Sequence, residues 1–234
     1  MAELLYEGKA KQVYKTDKED EYLIHYKDDA TAGNGVKHDK FEGKGVLNNT
    51  ISCIIFDMLE EAGIKTHMIK KLNERDILVK KVDIFPLEVI IRNITTGSFC
   101  KRLGAPEGIV LDEPIFEMSY KNDEYGDPLI NDDHAVALKL ATRKELAYIK
   151  ETTLKINELL KEFFLSMNLK LVDFKIEFGK TADGTILLAD EISPDSCRLW
   201  DVNTNQKYDK DVFRQDIGDL IETYKAVLAR MQNK

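Results

Sequence analysis

The segment of residues 171–191 constrains the fold most strongly, because it alternates apolar and charged side chains and then reverses direction. The first part of this segment is LVDFKIEFG (residues 171–179). Successive side chains of an extended strand face opposite sides of the sheet. The apolar residues at positions 172, 174, 176 and 178 therefore share one face, and Asp173, Lys175 and Glu177 share the other. Asp183 and Gly184 match a two-residue type I′ turn, so the segment predicts a β-hairpin.

The register of this hairpin suggests a metal site. If Asp183 and Gly184 form the whole loop, Glu177 lies directly opposite Asp190, with Cβ atoms about 4.5–5.5 Å apart, where like charges repel. A Mg²⁺ ion takes oxygen ligands and usually accompanies nucleotide phosphates, so it would satisfy both carboxylates. Lys175 on the same face would hold a phosphate or carboxylate nearby. The alternative is a charged face open to solvent, and a slip of one residue would remove the pairing.

Cations in two other segments form candidate anion sites. Lys9 and Lys11 share a strand face after a turn, and two lysines can hold a polyphosphate as point charges. Arg92 ends an apolar strand and is followed by a turn that contains Gly97 and Ser98. Arginine, a hydroxyl and exposed backbone amides together make a site of the size of a monophosphate. The alternatives are exposed lysines that serve solubility and an arginine that binds loop carbonyls.

A third group of cations follows the hairpin. Arg198 lies in a turn-rich segment beyond the carboxylates, and Lys210 and Arg214 are four residues apart at the predicted start of the last helix. A helix N-terminus and cationic side chains would both favour a bound anion. Pairing of these cations with Asp209 and Asp211 is equally consistent with the spacing.

The order of the predicted elements indicates an α+β fold. A β meander is predicted over the first forty or so residues, a helix over 47–59, and strands over 76–82 and 87–92. Residues 104–135 are rich in Gly, Pro, Asn and Asp and predict a long irregular connection. Thr142 and Glu145 form a capping box that opens a long helix, and a last helix is predicted over 210–228. Strands are predicted mainly in the first part of the chain and helices mainly in the last part, which favours an α+β fold. Such a fold could be divided into two lobes.

Composition excludes several classes of protein. Of 234 residues, 43% are hydrophobic and 32% charged, which is too apolar for a disordered chain. A net charge of −8 argues against a nucleic-acid surface, which needs a basic footprint. No apolar run approaches the ~20 residues of a membrane span, and no secretory signal is visible. Three scattered cysteines suggest reduced thiols and a cytoplasmic protein, four scattered histidines do not predict zinc, and neither a Walker A nor a GxGxxG motif is present.

Two stretches together resemble the signatures of one family. PLEVIIRNITTGS (residues 86–98) and LVDFKIEFG (residues 171–179) are similar to those of the SAICAR synthetases (phosphoribosylaminoimidazole-succinocarboxamide synthases) of purine biosynthesis. YEGKAK (6–11), KGVLNN (44–49) and DEISPDSCRLWD (190–201) resemble the family in the same order, so the likeness spans essentially the whole chain. Asn34 departs from it, because some members carry Asp in that Gly-rich loop.

The resemblance implies a two-lobed fold related to the ATP-grasp and protein-kinase architectures. Residues 1–81 would form a β-rich N-terminal lobe and residues 82–234 a mixed lobe, with ATP between them. It also implies a reaction in which ATP, L-aspartate and carboxyaminoimidazole ribonucleotide (CAIR) give SAICAR, ADP and phosphate through an acyl phosphate. A cytoplasmic homodimer that uses Mg²⁺ is implied as well. A small-molecule kinase on the same scaffold and a non-catalytic nucleotide-binding regulator are the alternatives.

The family's residue roles carry over onto positions of this sequence. ATP would contact Lys9, Lys11, Val13, Val79, Lys80, Ile84 and Lys121, with Glu177 and Asp190 holding Mg²⁺. Arg92, Ser98, Asp127, Lys175, Arg198, Lys210 and Arg214 would bind the substrate. Lys175, Glu177 and Asp190 would take part in catalysis. The resemblance assigns neither a general base nor the residues that bind aspartate.

Overall fold

The computed structural model describes residues 3–32 and 36–233; Asn34 lies outside them. The strands within these ranges are β1 (Leu4–Glu7), β2 (Lys11–Lys15), β3 (Glu21–Tyr26), β4 (Asp29–Ala32), β5 (Lys37–Lys40), β6 (Met68–Lys71), β7 (Asp76–Lys80), β8 (Asp83–Ile84), β9 (Leu87–Ile94), β10 (Val110–Tyr120), β11 (Leu129–Ile130), β12 (Leu169–Lys180), β13 (Ile186–Ala189) and β14 (Cys197–Asp201). The helices are α1 (Lys44–Glu61), α2 (Gly97–Leu103), α3 (Asp132–Ala137), α4 (Arg143–Leu165), α5 (Asp211–Arg214) and α6 (Leu220–Gln232). The predicted α+β class is confirmed.

The N-terminal part forms an antiparallel sheet in the strand order β1-β2-β3-β7-β6. The predicted meander is present as β1, β2 and β3, which pair with their neighbours in sequence. β4 and β5 make a separate hairpin. Helix α1 buries Ile51, Ile55 and Phe56 in the same core as Ile77 and Val79 of β7. This packing gives the sheet one covered face.

The second sheet is built around β12, which has 12 residues. Its first half pairs with β9 and β14, and its second half pairs with β13 and β8. Partners therefore flank both edges of the strand, and two of the three residues on its charged face are also buried. Asp173 is 4% exposed and Glu177 is 6% exposed. The alternative of a charged face open to solvent is therefore wrong for these two residues.

The predicted register of the β12–β13 hairpin is wrong by one residue. Glu177 pairs with Ala189, and Asp190 follows the end of β13 with a φ of 62°. The loop closes between Thr181 and Thr185, where the Thr181 N–H donates to the Thr185 carbonyl at 2.9 Å. Gly184 has a φ of 87°, so the loop resembles the three-residue type in which a left-handed glycine follows a type I turn. An Asp-Gly pair is compatible with both this three-residue loop and the two-residue turn, so the sequence does not distinguish them.

The predicted irregular connection over residues 104–135 is also wrong. It contains β10, a strand of 11 residues that lies between β9 and β11. The pairing of β10 with β9 shifts register between Val110 and Ile115. Pro114 lies in that interval and cannot donate a ladder hydrogen bond. The register shift thus lets the strand include a proline, a residue type that had suggested a loop.

The predicted last helix is interrupted. α5 has four residues, and α6 begins anew after Asp219, whose carboxylate accepts the Glu222 N–H at 2.9 Å. Lys210 therefore precedes a single helical turn. The N-terminus of a long helix does not lie there, so its dipole does not support the predicted anion site.

One hydrophobic core joins the two sheets. It includes Val79 of β7 and Phe85 and Leu87 beyond it. Backbone hydrogen bonds add to this connection, since the His67 N–H donates to the Leu188 carbonyl at 2.8 Å. The division into lobes at residues 81 and 82 stays a prediction.

Replacing Thr142 with Ala is expected to lower the free energy of unfolding by about 1 kcal/mol, because the predicted capping box is confirmed. The Thr142 hydroxyl accepts the Glu145 N–H, and the Glu145 carboxylate accepts the Thr142 N–H at 2.7 Å. Urea denaturation followed by circular dichroism measures the loss. Thr152→Ala inside α4 is the control, and it should not destabilise, because Ala is the better helix former. Equal losses in both variants would contradict the capping role.

Candidate active site

Two lysines contact three carboxylates where β12, the end of β13 and β2 meet. Lys121 Nζ is 2.7 Å from each carboxylate oxygen of Glu177. Lys11 pairs with Asp190 and is also 2.9 Å from Glu191 Oε1. Glu177 and Asp190 are close enough for their charges to interact. The structure thus brings the two predicted metal ligands together through the turn at Asp190 rather than through strand register.

The electrostatics of the two carboxylates differ. Burial and the charge of Asp190 raise the pKa of Glu177 above its ordinary value. Burial also opposes ionisation of Asp190, but the charge and hydrogen bond of Lys11, together with the charges of Lys121 and Lys175, lower the pKa of Asp190. Burial works against the charged forms of Lys11 and Lys121, yet their acidic partners raise both pKa values. The cluster therefore depends on close pairing of opposite charges.

The predicted monophosphate site is assembled around a shared carboxylate. Arg92 Nη1 lies 3.0 Å and Arg198 Nη1 lies 2.8 Å from the same oxygen, Asp173 Oδ2. Arg92 Nη2 also donates to the Ser98 hydroxyl at 3.1 Å. Gly97 approaches so closely that a Cβ there would be 2.7 Å from Arg198 Nη2. Two guanidinium groups and a hydroxyl converge, as expected for an anion site.

Arg214 extends this group, whereas Lys210 belongs to another. Asp211 accepts from Arg198 Nε at 3.0 Å and from Arg214 Nη1 at 2.7 Å, so the predicted pairing of Arg214 with Asp211 is present. Lys210 Nζ lies 3.4 Å from Asp195. Burial and neighbouring cations lower the pKa of Lys210 despite that carboxylate. The predicted pairing of Lys210 with Asp209 or Asp211 is therefore wrong.

Three further predicted residues each contact a charged or polar neighbour outside the arginine group. Lys175 pairs with Glu88 of the neighbouring strand. Lys9 lies 3.0 Å from Asp123, and both side chains are exposed. Asp127 accepts the Asn122 N–H at 2.8 Å and so closes the loop that follows Lys121. Asp127 thereby fixes the backbone next to Lys121.

The four residues assigned to adenine lie on β2, β7 and β8. Val79 is buried in the core, Val13 is half-buried, and Ile84 is exposed. Lys80 lines a cavity of about 550 Å³ at the end of α1, with Thr66 and the hairpin loop. Contact of these four residues with adenine stays a prediction.

Sequence reasoning missed several charged residues that contact or lie near the predicted site residues. Lys44 is fully buried, and its Nζ is 2.6 Å from Asp195 Oδ2. The other oxygen of Asp195, Oδ1, accepts a hydrogen bond from the Tyr224 hydroxyl. Glu88 and Glu191 were given no role either. The sequence offered one indication of a role for Glu191, because it directly follows Asp190. For Lys44 the only indication was the family resemblance of its segment.

The described residues 3–32 and 36–233 contain no group of three or more His, Cys, Asp or Glu side chains arranged around a metal position. None of the helices in those ranges is long and apolar enough to cross a bilayer. Cys53, Cys100 and Cys197 are free thiols.

Comparison with known proteins gives one consistent family. A family model described as SAICAR synthetase matches residues 4–231. Phosphoribosylaminoimidazole-succinocarboxamide synthase of Finegoldia magna is 66% identical over 98% of this chain and 99% of its own. The enzyme of that name from Caldanaerobacter subterraneus is 62% identical over 98% of this chain and 97% of its own.

Solved structures agree in fold. A SAICAR synthetase in complex with ADP superimposes with a TM-score of 0.95 and 51% identity, covering 98% of this chain and 97% of that one. The synthase from Ehrlichia chaffeensis superimposes with a TM-score of 0.96 and 45% identity over 98% of both chains.

Proposed function

The chain belongs to the SAICAR synthetase family, and from that premise we propose that its cleft joins L-aspartate to the carboxylate of CAIR with ATP as the phosphoryl donor. The products are SAICAR, ADP and phosphate. The relative solved with ADP supports nucleotide use. The work left to the residues of this chain is to bind three anions and to align their reacting groups.

The arrangement along β12 carries the proposal. Asp173, Lys175 and Glu177 share one face of this strand, so the two ends of the set are about 13 Å apart. Asp173 organises the two arginines of the phosphate site, and Glu177 belongs to the lysine–carboxylate cluster. Lys175 lies between them. A ribonucleotide whose phosphate binds at one end would extend its base toward the other.

The chemistry requires activation of a carboxylate. An unactivated carboxylate is a poor acyl donor because its leaving group would be oxide. Transfer of the γ-phosphoryl group to a CAIR carboxylate oxygen breaks the bond to ADP and forms an acyl phosphate. The aspartate amine then attacks the acyl carbon, phosphate leaves, and the amine loses a proton. Such transfer depends mainly on positioning and on offsetting charge.

Each cation of the cleft receives a role in this scheme. Lys9, Lys11 and Lys121 contact the ATP phosphates, with Val13, Val79, Lys80 and Ile84 around adenine. Lys175 lies between the γ-phosphate and the CAIR carboxylate. Arg92, Ser98, Arg198, Lys210 and Arg214 bind CAIR, and Asp127 contacts it from the loop beyond Lys121. Lys210 would act from the side of Asp195, consistent with the contact described above.

The donor set fits a magnesium ion. Mg²⁺ is typically held by one or two carboxylates together with water and substrate phosphates, and Glu177 and Asp190 supply two carboxylates in one cluster. These two residues would hold the ion. When bound, it would offset charge on the phosphates during phosphoryl transfer. We also propose the homodimer, the cytoplasmic location and the lobe boundary at residues 81 and 82 on the family resemblance.

The decisive experiment is to incubate the protein with ATP, Mg²⁺, CAIR and L-aspartate and to determine the mass of the product. We expect SAICAR, and ADP release that requires both CAIR and aspartate. A stable phosphorylated product without an amide would favour the small-molecule kinase. Nucleotide binding without turnover of folded protein would favour the regulator.

Replacing Gly97 with Ala is expected to raise KM for CAIR by about tenfold, roughly the effect of weakening one hydrogen bond to a charged group. The added methyl group would displace the Arg198 guanidinium, 2.7 Å away. Gly104→Ala is the matched control, because Gly104 also has a positive φ, of 65°, but a Cβ there would have nothing within 4 Å. Steady-state kinetics should show KM within about twofold of wild type for that variant. Equal KM values in the two variants would exclude the Arg198 contact as the cause.

A further inference from the structure

Lys11 contacts two consecutive carboxylates, which is unusual for strand neighbours. Its Nζ pairs with Asp190 and lies 2.9 Å from Glu191 Oε1. Successive residues of a strand face opposite sides, so one lysine ordinarily reaches only one of them. The φ of 62° at Asp190 breaks this alternation. Aspartate tolerates the left-handed region better than most residues, and here the turn brings both carboxylates to one ammonium group.

The two carboxylates differ in how firmly they are held. The Glu191 side chain is 7% exposed and that of Asp190 is 33% exposed. The second oxygen of Glu191, Oε2, accepts the Ser193 hydroxyl at 2.7 Å. The next backbone N–H, of Ile192, donates to the Ser52 hydroxyl of α1 at 3.2 Å. Glu191 is thus fixed to the interior, whereas Asp190 is partly exposed to solvent.

The surroundings of Lys11 require a permanent anion. The ring of Tyr26 lies beneath its Nζ, 5.4 Å from the ring centre, and Tyr26 pairs with Lys11 in the sheet. A buried ammonium group without an anionic partner is unfavourable. If Asp190 turned toward a bound cation, Glu191 would be the carboxylate that remains on Lys11.

We propose that Glu191 is the positioning residue for Lys11. Its buried carboxylate holds the ammonium group toward the nucleotide phosphates, and Asp190 is the exchangeable partner. The inference rests on the proposed function, in which Lys11 contacts ATP. Glu191 itself touches no substrate in this scheme, so its effect must pass through Lys11.

A double-mutant cycle tests this dependence. Wild type, Glu191→Gln, Lys11→Met and the double variant are titrated by calorimetry with a non-hydrolysable ATP analogue in excess Mg²⁺. We expect Glu191→Gln to weaken binding by about tenfold, the usual order for a hydrogen bond to a charged group. In the Lys11→Met background the same change should cost less than about twofold. The control is Glu61→Gln on the exposed end of α1, which should bind as wild type.

The outcomes separate the inference from the proposed function. Unchanged binding by Lys11→Met would refute the role of Lys11 at ATP, and with it the premise. Weakened binding by Lys11→Met together with wild-type binding by Glu191→Gln would overturn the inference alone. An equal loss from Glu191→Gln in both backgrounds would also overturn it, because Glu191 would then act by a route that avoids Lys11.

Ser193 provides a second test in case Glu191→Gln fails to fold. Ser193→Ala keeps the charge of Glu191 but removes the hydrogen bond that orients it, so binding of the analogue should weaken by about threefold. Ser193→Thr keeps the hydroxyl and should restore binding. Wild-type affinity in Ser193→Ala would count against the positioning role.

Discussion

Glu177→Gln is expected to lower the turnover number by more than about a hundredfold. Loss of a residue that merely orients a metal ligand costs about 10–100-fold, and Glu177 is proposed to hold the ion itself. Glutamine has the same shape but cannot offset the charge of a cation, and Lys121 loses the anion that lies 2.7 Å away. Steady-state rates of SAICAR formation over a range of Mg²⁺ concentrations measure the effect.

The same variant should remain folded. Burial and the charge of Asp190 raise the pKa of Glu177, so a neutral side chain relieves an unfavourable buried charge. Lys121 is 44% exposed and can be hydrated when its partner is lost. Thermal unfolding of the variant should therefore resemble that of wild type. Glu158→Gln on the surface of α4 is the control for charge neutralisation, and a near-normal rate of Glu177→Gln at saturating Mg²⁺ would contradict the metal role.

The part of the site that β12 carries was predictable from sequence because strand periodicity is local. Alternation alone assigns Asp173, Lys175 and Glu177 to one face. The burial of Asp173 and Glu177 was not predictable, since it depends on segments distant in sequence, including β9, β13 and β14, that pack around the strand. Three charged residues at alternate positions look the same in the sequence of an exposed strand and of an enclosed one.

The pairing predicted between Glu177 and Asp190 failed because the length of the hairpin loop was ambiguous in the sequence. Asp183 and Gly184 fit loops of two or three residues, and the choice shifts every pair along the hairpin. Thr181 and Thr185 close the longer loop, helped by the Asp183 carboxylate, which accepts the Thr185 N–H at 3.0 Å. The carboxylates still approach each other, but through a backbone turn at Asp190 that strand periodicity does not predict.

Contacts between distant segments were beyond sequence reasoning. Lys44 and Asp195 are 151 residues apart, and nothing near Lys44 distinguishes it from an exposed lysine at a helix start. A lysine is buried only where the fold supplies an anion, and that anion comes from the loop after β13. The alternative that paired Lys210 with Asp209 and Asp211 is wrong for the same reason, because its partner Asp195 lies in that loop.

Asp173→Asn is expected to lower the free energy of unfolding by about 3 kcal/mol. Removing one partner of a buried ion pair typically costs 3–5 kcal/mol, and Asp173 Oδ2 accepts from both Arg92 at 3.0 Å and Arg198 at 2.8 Å. The lower end applies because Asn keeps one acceptor and because Glu117 still pairs with Arg92 at 2.7 Å. Urea denaturation measures the loss without adding salt.

Inorganic phosphate should restore part of this stability, because an anion between the two guanidinium groups replaces the missing charge. Ligand that binds only the folded state stabilises it by mass action, and the gain should be larger in the variant than in wild type. Asp133→Asn is the matched control, since Asp133 pairs with Arg143 at 2.5 Å on the surface. Its loss should be much smaller than that of Asp173→Asn, because an exposed ion pair contributes little to stability, and it should not respond to phosphate. A similar loss in both variants, or a phosphate response in neither, would mean that Asp173 does not hold the arginines of the phosphate site.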